Sequence, residues 1–243
     1  MPSSLPAVQL YSLRDQLDHD VDGVLHELAQ IGVRDVEPYD VSAWAVRLRG
    51  PLVEHGMRAT SAHGSVVDDP DATLTAAAEL GVTTIYEPFQ PQERFASLDT
   101  LRALADDLCA AADRAADHGI GFGYHNHWWE LETLVDGAPA LLVLADLVGA
   151  QVSFEVDVYW AAVGGSNPVA LLTALGDQVT ALHIKDGPVS RDTSVQVPAG
   201  QGRLPMPAIL EAAPKARRIA EFDAYEGDLV AALGHSLTYL GAY

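Results

Sequence analysis

The chain has 243 residues, 49% of them hydrophobic, and its 34 acidic residues against 14 Lys and Arg give a formal net charge of −20. The electrostatic field of this negative charge repels the phosphate backbone of nucleic acids, and no cluster of Lys or Arg offsets it. Nucleic acid is therefore excluded as a partner. No apolar run approaches the ~18 residues that a transmembrane helix needs, which excludes a membrane-spanning protein.

The start of the chain and the cysteine content predict the compartment. Residues 1–4 lack a basic region followed by an apolar stretch, so no secretory signal is predicted. Cys109 is the one cysteine, cannot form an internal disulfide, and fits a small buried residue of a helix. We therefore expect a protein of the reducing cytoplasm.

Short apolar segments alternate along the chain with segments whose apolar residues recur at helical spacing. Strands are predicted at residues 7–12, 33–39, 57–63, 82–87, 120–125, 152–157, 179–185 and 218–221. Helices are predicted at residues 21–31, 41–55, 71–80, 98–118, 139–148, from 168 onward, 207–213 and 229–239. Asn167 is the expected N-cap of the helix that begins at Pro168.

This alternation predicts the fold. Eight strand–helix units in one chain of about 250 residues are what a (β/α)8 TIM barrel requires, so a single α/β barrel domain over residues 1–243 is expected. Gly32, Gly81 and Gly119 each end a helix directly before a strand, as a repeated C-cap. A doubly wound sheet is the alternative, but no Gly-rich phosphate-binding motif follows the first strand.

Polar residues cluster at the C-terminal ends of the predicted strands, where TIM barrels build active sites. Because side chains alternate across a strand, each strand presents its polar residues on one face and its apolar residues on the other. The inward sets are Asp35, Glu37 and Tyr39, Ser61 and His63, His125 and His127, Glu155 and Asp157, and His183 and Lys185. Charges this dense inside a barrel are costly unless they are paired or bind a cation.

The best candidate metal ligands are Asp157, His183 and Glu221, because each ends a different strand on its inward face. Alone, each has a plainer interpretation: Asp157 as a helix-capping or turn carboxylate, His183 as a core histidine, and Glu221 as an ion-pair partner of Lys185 or an arginine. The predicted fourth ligand is Glu130, or alternatively His125 or His127. Imidazole and carboxylate suit Mn, Mg, Co, Fe or Zn, so the ligand types do not name the metal.

Other residues of these strand ends are candidates for catalysis and substrate binding. His125 and His127 are predicted acid–base groups, since imidazole titrates near neutrality. Lys185 is predicted either to stabilise an enolate oxygen or to pair with Asp157. The predicted substrate contacts include Glu37 and His63, which could instead pair with each other. Trp128, Trp129 and Trp160 are predicted to stack on a sugar, and interface or rim packing is an equal alternative for Trp129 and Trp160. Residues 187–205 form a long loop, expected to be a lid or a plain surface connection.

With these motifs in view, the chain resembles the sugar phosphate isomerase/epimerase family, the xylose isomerase-like TIM barrels. The resemblance rests on residues 9–14, Val36-Glu37, Tyr124-His125-Asn126-His127 with Glu130, residues 154–160, Asn167-Pro168-Val169, residues 182–188, Gly200-Gln201-Gly202 and Glu221-Phe222-Asp223. It implies a divalent metal held by Glu130, Asp157, His183 and Glu221, and metal-assisted proton transfer next to a carbonyl. The chain departs from the epimerase pattern at His125, where epimerases place a metal-binding glutamate.

The expected function is a metal-dependent isomerase or epimerase of a small sugar or keto-sugar. The departure at His125 makes two alternatives worth testing. One is a lyase, either inosose dehydratase-like or keto-glycoside-cleaving, and the other is a sugar-binding barrel without turnover. The oligomeric state is open, with a homodimer as one option.

Overall fold

The computed structural model describes residues 6–242 and forms a nearly closed barrel of parallel strands with helices packed around it. The predicted TIM barrel is confirmed. We label its strands β1 to β8, and β3 consists of two segments on either side of Thr60. The strands are β1 Ala7–Gln9, β2 Asp35–Glu37, β3 Arg58–Ala59 and Ser61–His63, β4 Thr84–Glu87, β5 Gly121–His125, β6 Ser153–Asp157, β7 Val179–Ile184 and β8 Arg217–Ala220.

The helices lie close to the predicted positions, and several short elements add to them. The α-helices are Arg14–His19, Val21–Gln30, Val41–Glu54, Pro70–Leu80, Leu98–Asp117, Trp129–Glu132, Ala140–Val148, Val158–Val163, Pro168–Leu175, Met206–Ala212 and Leu229–Gly241. The 3-10 turns are Leu10–Leu13, Gln92–Phe95, Gly149–Gln151, Gly176–Gln178 and Thr193–Val195, and a small antiparallel hairpin pairs Leu134–Val135 with Ala138–Pro139.

Local capping explains where several elements begin and end. Asn167 Oδ1 accepts from the N–H groups of Val169 and Ala170, as predicted for an N-cap. Gly81 ends its helix at φ +72°, a conformation that glycine adopts without strain. The first strand ends at Gln9 instead of residue 12, because the Gln9 side chain accepts from Tyr11 N and starts a 3-10 turn.

The barrel closes through β3. Hydrogen-bonded neighbours run from Arg58–Ala59 through β2, β1, β8, β7, β6, β5 and β4 to Ser61–His63. The break falls at Thr60, whose N–H and hydroxyl both donate to the Asp35 carboxylate. Beyond it, His63 N donates to Pro38 O at 2.8 Å, which joins the second segment of β3 to the end of β2. We call this interruption the Thr60 seam.

The barrel interior has an apolar floor and a polar upper layer. Ala7, Tyr86, Ala181 and Ile219 form a separate buried cluster of four residues from β1, β4, β7 and β8. Since side chains alternate, Ala181 lies one layer below His183 on the same face of β7. The outward residues of the strands pack against the helices in the main core. Within residues 6–242, no helix has both the length and the apolar character to cross a bilayer.

Candidate functional site

His183, near the end of β7, is the centre of the polar layer. Its Nδ1 lies 2.6 Å from Glu221 Oε2, and its Nε2 lies 2.7 Å from Glu37 Oε1 and 3.1 Å from Glu155 Oε2. All four side chains are buried. Burial disfavours the imidazolium, but the carboxylates of Glu155 and Glu221 outweigh it and hold the pKa of His183 well above its ordinary value. Both ring nitrogens of His183 are therefore held between carboxylates.

Glu155 of β6 brings three imidazoles together. His63 Nε2 lies 2.6 Å from Glu155 Oε2, and His125 Nδ1 and His183 Nε2 each lie 3.1 Å from the same oxygen. The other oxygen, Oε1, is buried and has no hydrogen-bond partner in the described part of the chain. Burial disfavours the charged carboxylate, yet the neighbouring His183 and His63 hold the pKa of Glu155 well below its usual range. The sequence placed Glu155 on the inward face without singling it out, and its alternation with Asp157 was the available signal.

Lys185 neutralises a second group of acids closer to the barrel mouth. Its Nζ lies 2.5 Å from Asp157 Oδ2, 2.7 Å from Glu221 Oε2 and 3.4 Å from Asp223 Oδ1. Burial disfavours the ammonium, but these three carboxylates hold the pKa of Lys185 well above its ordinary value. Asp157 Oδ1 accepts from Trp160 N at 2.8 Å, so this carboxylate also caps the helix Val158–Val163.

Two sets of donor atoms lie close enough together to hold a metal ion. In each set all ligand atoms are within 4.8 Å of one another. The histidine-rich set contains His63, His125, Glu155 and His183, and the carboxylate-rich set contains Asp157, His183 and Glu221. The structure thus brings together three of the predicted ligands and shares His183 between the two sets.

Glu130, the remaining predicted ligand, lies outside both sets. Its Oε1 accepts from the Tyr124 hydroxyl at 2.8 Å and its Oε2 accepts from His127 N at 3.0 Å. The side chain is fully buried in the first turn of the helix Trp129–Glu132. In this position Glu130 stabilises the turn that follows β5.

A cavity of about 580 Å³ opens at the C-terminal ends of the strands. Its deep part is lined by the buried residues His63, His125, Trp160, Lys185 and Glu221, and its outer part includes Tyr11, Tyr39, Phe89, His127, Asp40, Asp69 and Asp223. Five of the residues predicted to act on or bind substrate therefore line the cavity: His63, His125, His127, Trp160 and Lys185.

Glu37 and Trp128 do not line it. Glu37 is fully buried and accepts hydrogen bonds from Gln9 and Ser61 while it contacts His183. His63 Nε2 lies 3.5 Å from Glu37 Oε1. Trp128 is covered by the Arg191 guanidinium, 3.6 Å from the ring centroid. Glu37 thus acts below the cavity by positioning His183, and Trp128 belongs to the rim.

His127 forms part of an aromatic wall that sequence reasoning did not anticipate as a unit. Its ring stacks on Trp129 with centroids 4.3 Å apart, and Phe89 contacts both rings edge-on. His127 Nδ1 and Trp129 Nε1 are buried, and neither has a hydrogen-bond partner among the described residues. Phe89 follows β4 and is 53% exposed, so much of its side chain remains accessible.

The long loop after β7 is held at the site by two groups of hydrogen bonds. The buried Asp186 carboxylate accepts from the main-chain N–H groups of Gly187, Gly200, Gly202 and Leu204. In addition, the Gln196 side chain donates to Asp223 Oδ2 at 2.7 Å and accepts from Asp223 N at 2.8 Å. The loop thereby fixes the position of Asp223 beside Lys185.

Comparison with known proteins agrees with this architecture. The model of the xylose isomerase-like TIM barrel family matches residues 26–219. A search of curated proteins gives no significant match.

Solved structures resemble the whole chain. A sugar phosphate isomerase/epimerase from Parabacteroides distasonis ATCC 8503 superposes with a TM-score of 0.82 at 23% identity, covering 98% of this chain and 93% of that one. The probable 3-DHS dehydratase AsbF from Bacillus anthracis gives 0.75 at 14% identity, covering 98% and 99%. The IolI protein with a bound zinc atom gives 0.69 at 14% identity, covering 98% and 97%. At these identities the likeness shows the fold.

Proposed function

Because the chain belongs to the xylose isomerase-like TIM barrel family, we propose that it is a divalent-metal-dependent isomerase or epimerase of a sugar or keto-sugar. The observation that carries this proposal is the convergence of imidazoles and carboxylates from several strand ends around His183, beneath an open cavity. Barrels of this kind perform their chemistry at this end. The resemblance to a sugar phosphate isomerase/epimerase supports the reaction class.

The residues present fit a divalent cation. Three imidazole nitrogens surround one oxygen of Glu155, and its other oxygen is an orphaned buried acceptor. A cation would satisfy both features, and imidazole with carboxylate suits Zn, Fe, Co or Mn. The similar IolI protein was solved with zinc.

Of the two donor sets, we propose the histidine-rich one as the metal site. The carboxylate-rich set already has a cation, because the Lys185 ammonium contacts both Asp157 and Glu221. His63, His125, Glu155 and His183 would then hold the metal, in agreement with the departure of the sequence at His125. Asp157 and Glu221 would hold Lys185, and Glu130 would have a structural role.

A metal at this position would polarise a substrate carbonyl and its neighbouring hydroxyl. Lys185 is buried and protonated and lines the cavity, and its Nζ would exchange the 3.4 Å contact with Asp223 Oδ1 for a hydrogen bond to the carbonyl oxygen as negative charge develops there. His127 lines the cavity from the end of β5 and is proposed to take the proton from the carbon next to the carbonyl. The electron pair of the broken C–H bond moves into the enolate, and return of the proton to a neighbouring carbon or to the opposite face completes the reaction.

Elimination is the second candidate. An enolate formed in the same way can expel a β-substituent, which would make the protein a dehydratase or a keto-glycoside-cleaving lyase. The likeness to the probable 3-DHS dehydratase AsbF over the full chain supports elimination as the second candidate reaction.

The test combines metal analysis with isotope exchange. Purified wild type is expected to contain about one equivalent of a divalent metal, lost in His183→Ala and Glu155→Gln and retained in Asp157→Asn. D-fructose incubated with the metal-loaded protein in D2O should gain deuterium next to its carbonyl, as seen by NMR. Loss of a β-substituent would favour the lyase. Saturable binding without any exchange would favour a sugar-binding barrel and overturn the enzyme proposal.

A further inference from the structure

The charges around the cavity are arranged against an anionic substrate. Asp40, Asp69, Asp223 and Glu221 all line it, and Lys185 is the cation among the lining residues that the structure describes. The Lys185 ammonium is already bound by Asp157, Glu221 and Asp223. A phosphate or carboxylate at the mouth, away from the metal proposed on the deep residues, would therefore meet the carboxylates of Asp40, Asp69 and Asp223 and no uncommitted ammonium.

Arg14 does not change this arrangement, although it lies beside the cavity wall. Its guanidinium stacks on the Tyr11 ring at 4.2 Å and donates to the main-chain oxygens of Tyr11 and Asp223. These three contacts hold the guanidinium against the wall, and Arg14 is not among the lining residues. Phosphate-binding sites instead present several free N–H donors from Arg, Lys or a helix N-terminus.

The size of the cavity exceeds one sugar ring. Its volume of about 580 Å³ corresponds to roughly twenty water molecules at about 30 Å³ each. A single hexose on the deep residues would leave much of that space to water. Ligand pockets normally enclose most of the ligand surface, so this volume fits a larger substrate.

The deep and outer parts of the cavity also differ in character. His63 and His125 at the bottom are 7% and 5% exposed, whereas Tyr11 and Phe89 at the mouth are 38% and 53% exposed. Tyr11 and Tyr39 pack edge to face on the β1–β2 side, with centroids 5.4 Å apart, and Phe89 stands on the β4 side. Exposed aromatic surface packs well against the C–H face of an uncharged ring.

From the charge, the volume and the aromatic mouth together, we propose that the cavity takes an uncharged keto-sugar carrying a second ring, and that it rejects phosphorylated sugars. The keto-sugar part of this inference rests on the proposed function. The second ring lies between the Tyr11–Tyr39 pair and Phe89, and the reacting ring lies on the deep residues. The carboxylates of Asp40 and Asp69 set the charge of the mouth.

Three ligands that differ at one position test this inference. D-Fructose, D-fructose 6-phosphate and isomaltulose carry a hydrogen, a phosphate and a neutral glucosyl group on the same oxygen. Calorimetric titration of the metal-loaded protein should give the tightest binding for isomaltulose, by roughly three- to tenfold over fructose, as expected for aromatic contact with one more ring. Fructose 6-phosphate should bind most weakly.

Two variants and a series of salt concentrations test what causes the differences in affinity among the three ligands. Phe89→Ala should reduce the advantage of isomaltulose over fructose. Asp40→Asn combined with Asp69→Asn should reduce the disadvantage of the phosphate, and so should raising the salt concentration, which screens charge. Asparagine retains the N-cap acceptor at both positions and tolerates the left-handed backbone of Asp40 at φ 45°.

The outcomes separate this inference from the proposed function. Tightest binding of fructose 6-phosphate, or absence of binding for both neutral ligands, would overturn the inference. The expected order of affinities without deuterium exchange would support the substrate class and overturn the isomerase. Exchange that occurs fastest in fructose 6-phosphate would support the isomerase and overturn the substrate class.

Discussion

His63 Nε2 lies 2.6 Å from Glu155 Oε2, and this contact joins β3 to β6 across the barrel interior. Glu155 holds two further imidazoles on the same oxygen, those of His125 and His183. A single carboxylate therefore sets the distances between three nitrogen atoms that come from three different strands. The polar layer of the barrel depends more on Glu155 than on any of the acids closer to the mouth.

Removing this carboxylate should abolish metal-dependent stabilisation. A ligand present at a hundred times its Kd stabilises a protein by about 2.7 kcal/mol, which for a chain of this size raises Tm by roughly 5–10 °C. EDTA-treated wild type should show such a rise on addition of Zn or Mn, and Glu155→Gln should show none. Glu130→Gln is the matched control and should retain the rise, whatever its own Tm. A lost rise in Glu130→Gln alone would restore Glu130 as the ligand.

Lys185→Met should destabilise the barrel, because it leaves the buried carboxylates of Asp157 and Glu221 without their ammonium. Breaking a buried pair in this way costs about 3–5 kcal/mol. Adding Asp157→Asn, which keeps the cap on Trp160 N, should recover part of the loss, with a coupling of about 1–3 kcal/mol. Urea unfolding in EDTA measures all four proteins. Strictly additive effects would contradict the pairing.

Glu87 should make stability depend on pH. Burial raises the pKa of Glu87 to about 7 in the folded protein. The folded state therefore keeps a proton that the unfolded chain loses above its pKa of about 4.3. Stability should fall as pH rises from about 4.5 to 7, by up to about 3 kcal/mol, and level off above that. Glu87→Gln should flatten this part of the curve, while Gln at the exposed Glu211 should leave it unchanged.

Asp186 should control the order of the loop after β7. Its two oxygens accept four main-chain N–H groups at 2.8–3.2 Å. Asp186→Ala leaves these donors without their acceptor and should cost about 3–5 kcal/mol. Asp186→Asn should cost less, since one oxygen remains. Limited proteolysis should cut residues 187–205 faster in both variants, and the exposed Asp192→Asn in the same loop should remain near wild type.

Periodicity was sufficient to predict the barrel, because a TIM barrel repeats one local pattern. It was not sufficient at Thr60, where the break depends on a contact with Asp35 from another strand. The helix Val158–Val163 was also missed, since its residues are apolar on nearly all sides and carry no helical stripe. The departure at Thr60 arises from a contact distant in sequence, which a pattern within one segment does not contain.

The candidate site was also predictable only in part. Alternation placed His183, Asp157 and Glu221 together, and the structure brings them together. It left the fourth ligand open among Glu130, His125 and His127, and it did not single out Glu155. Glu130 follows the end of β5, and its direction is decided by the Tyr124 hydroxyl. The position of Glu155 among the imidazoles depends on its contact with His63 from β3, a residue 92 positions away in the chain.

The Thr60 seam has a consequence for how the barrel opens. At this position the ladder between neighbouring strands is discontinuous, and side-chain contacts to Asp35 take the place of main-chain pairing. Local opening in proteins begins where such ladders are weakest. We therefore expect the strands of the barrel to separate first at the Thr60 seam on unfolding and to pair there last on folding. His63, the residue that ends β3, would then reach Glu155 only in the final step.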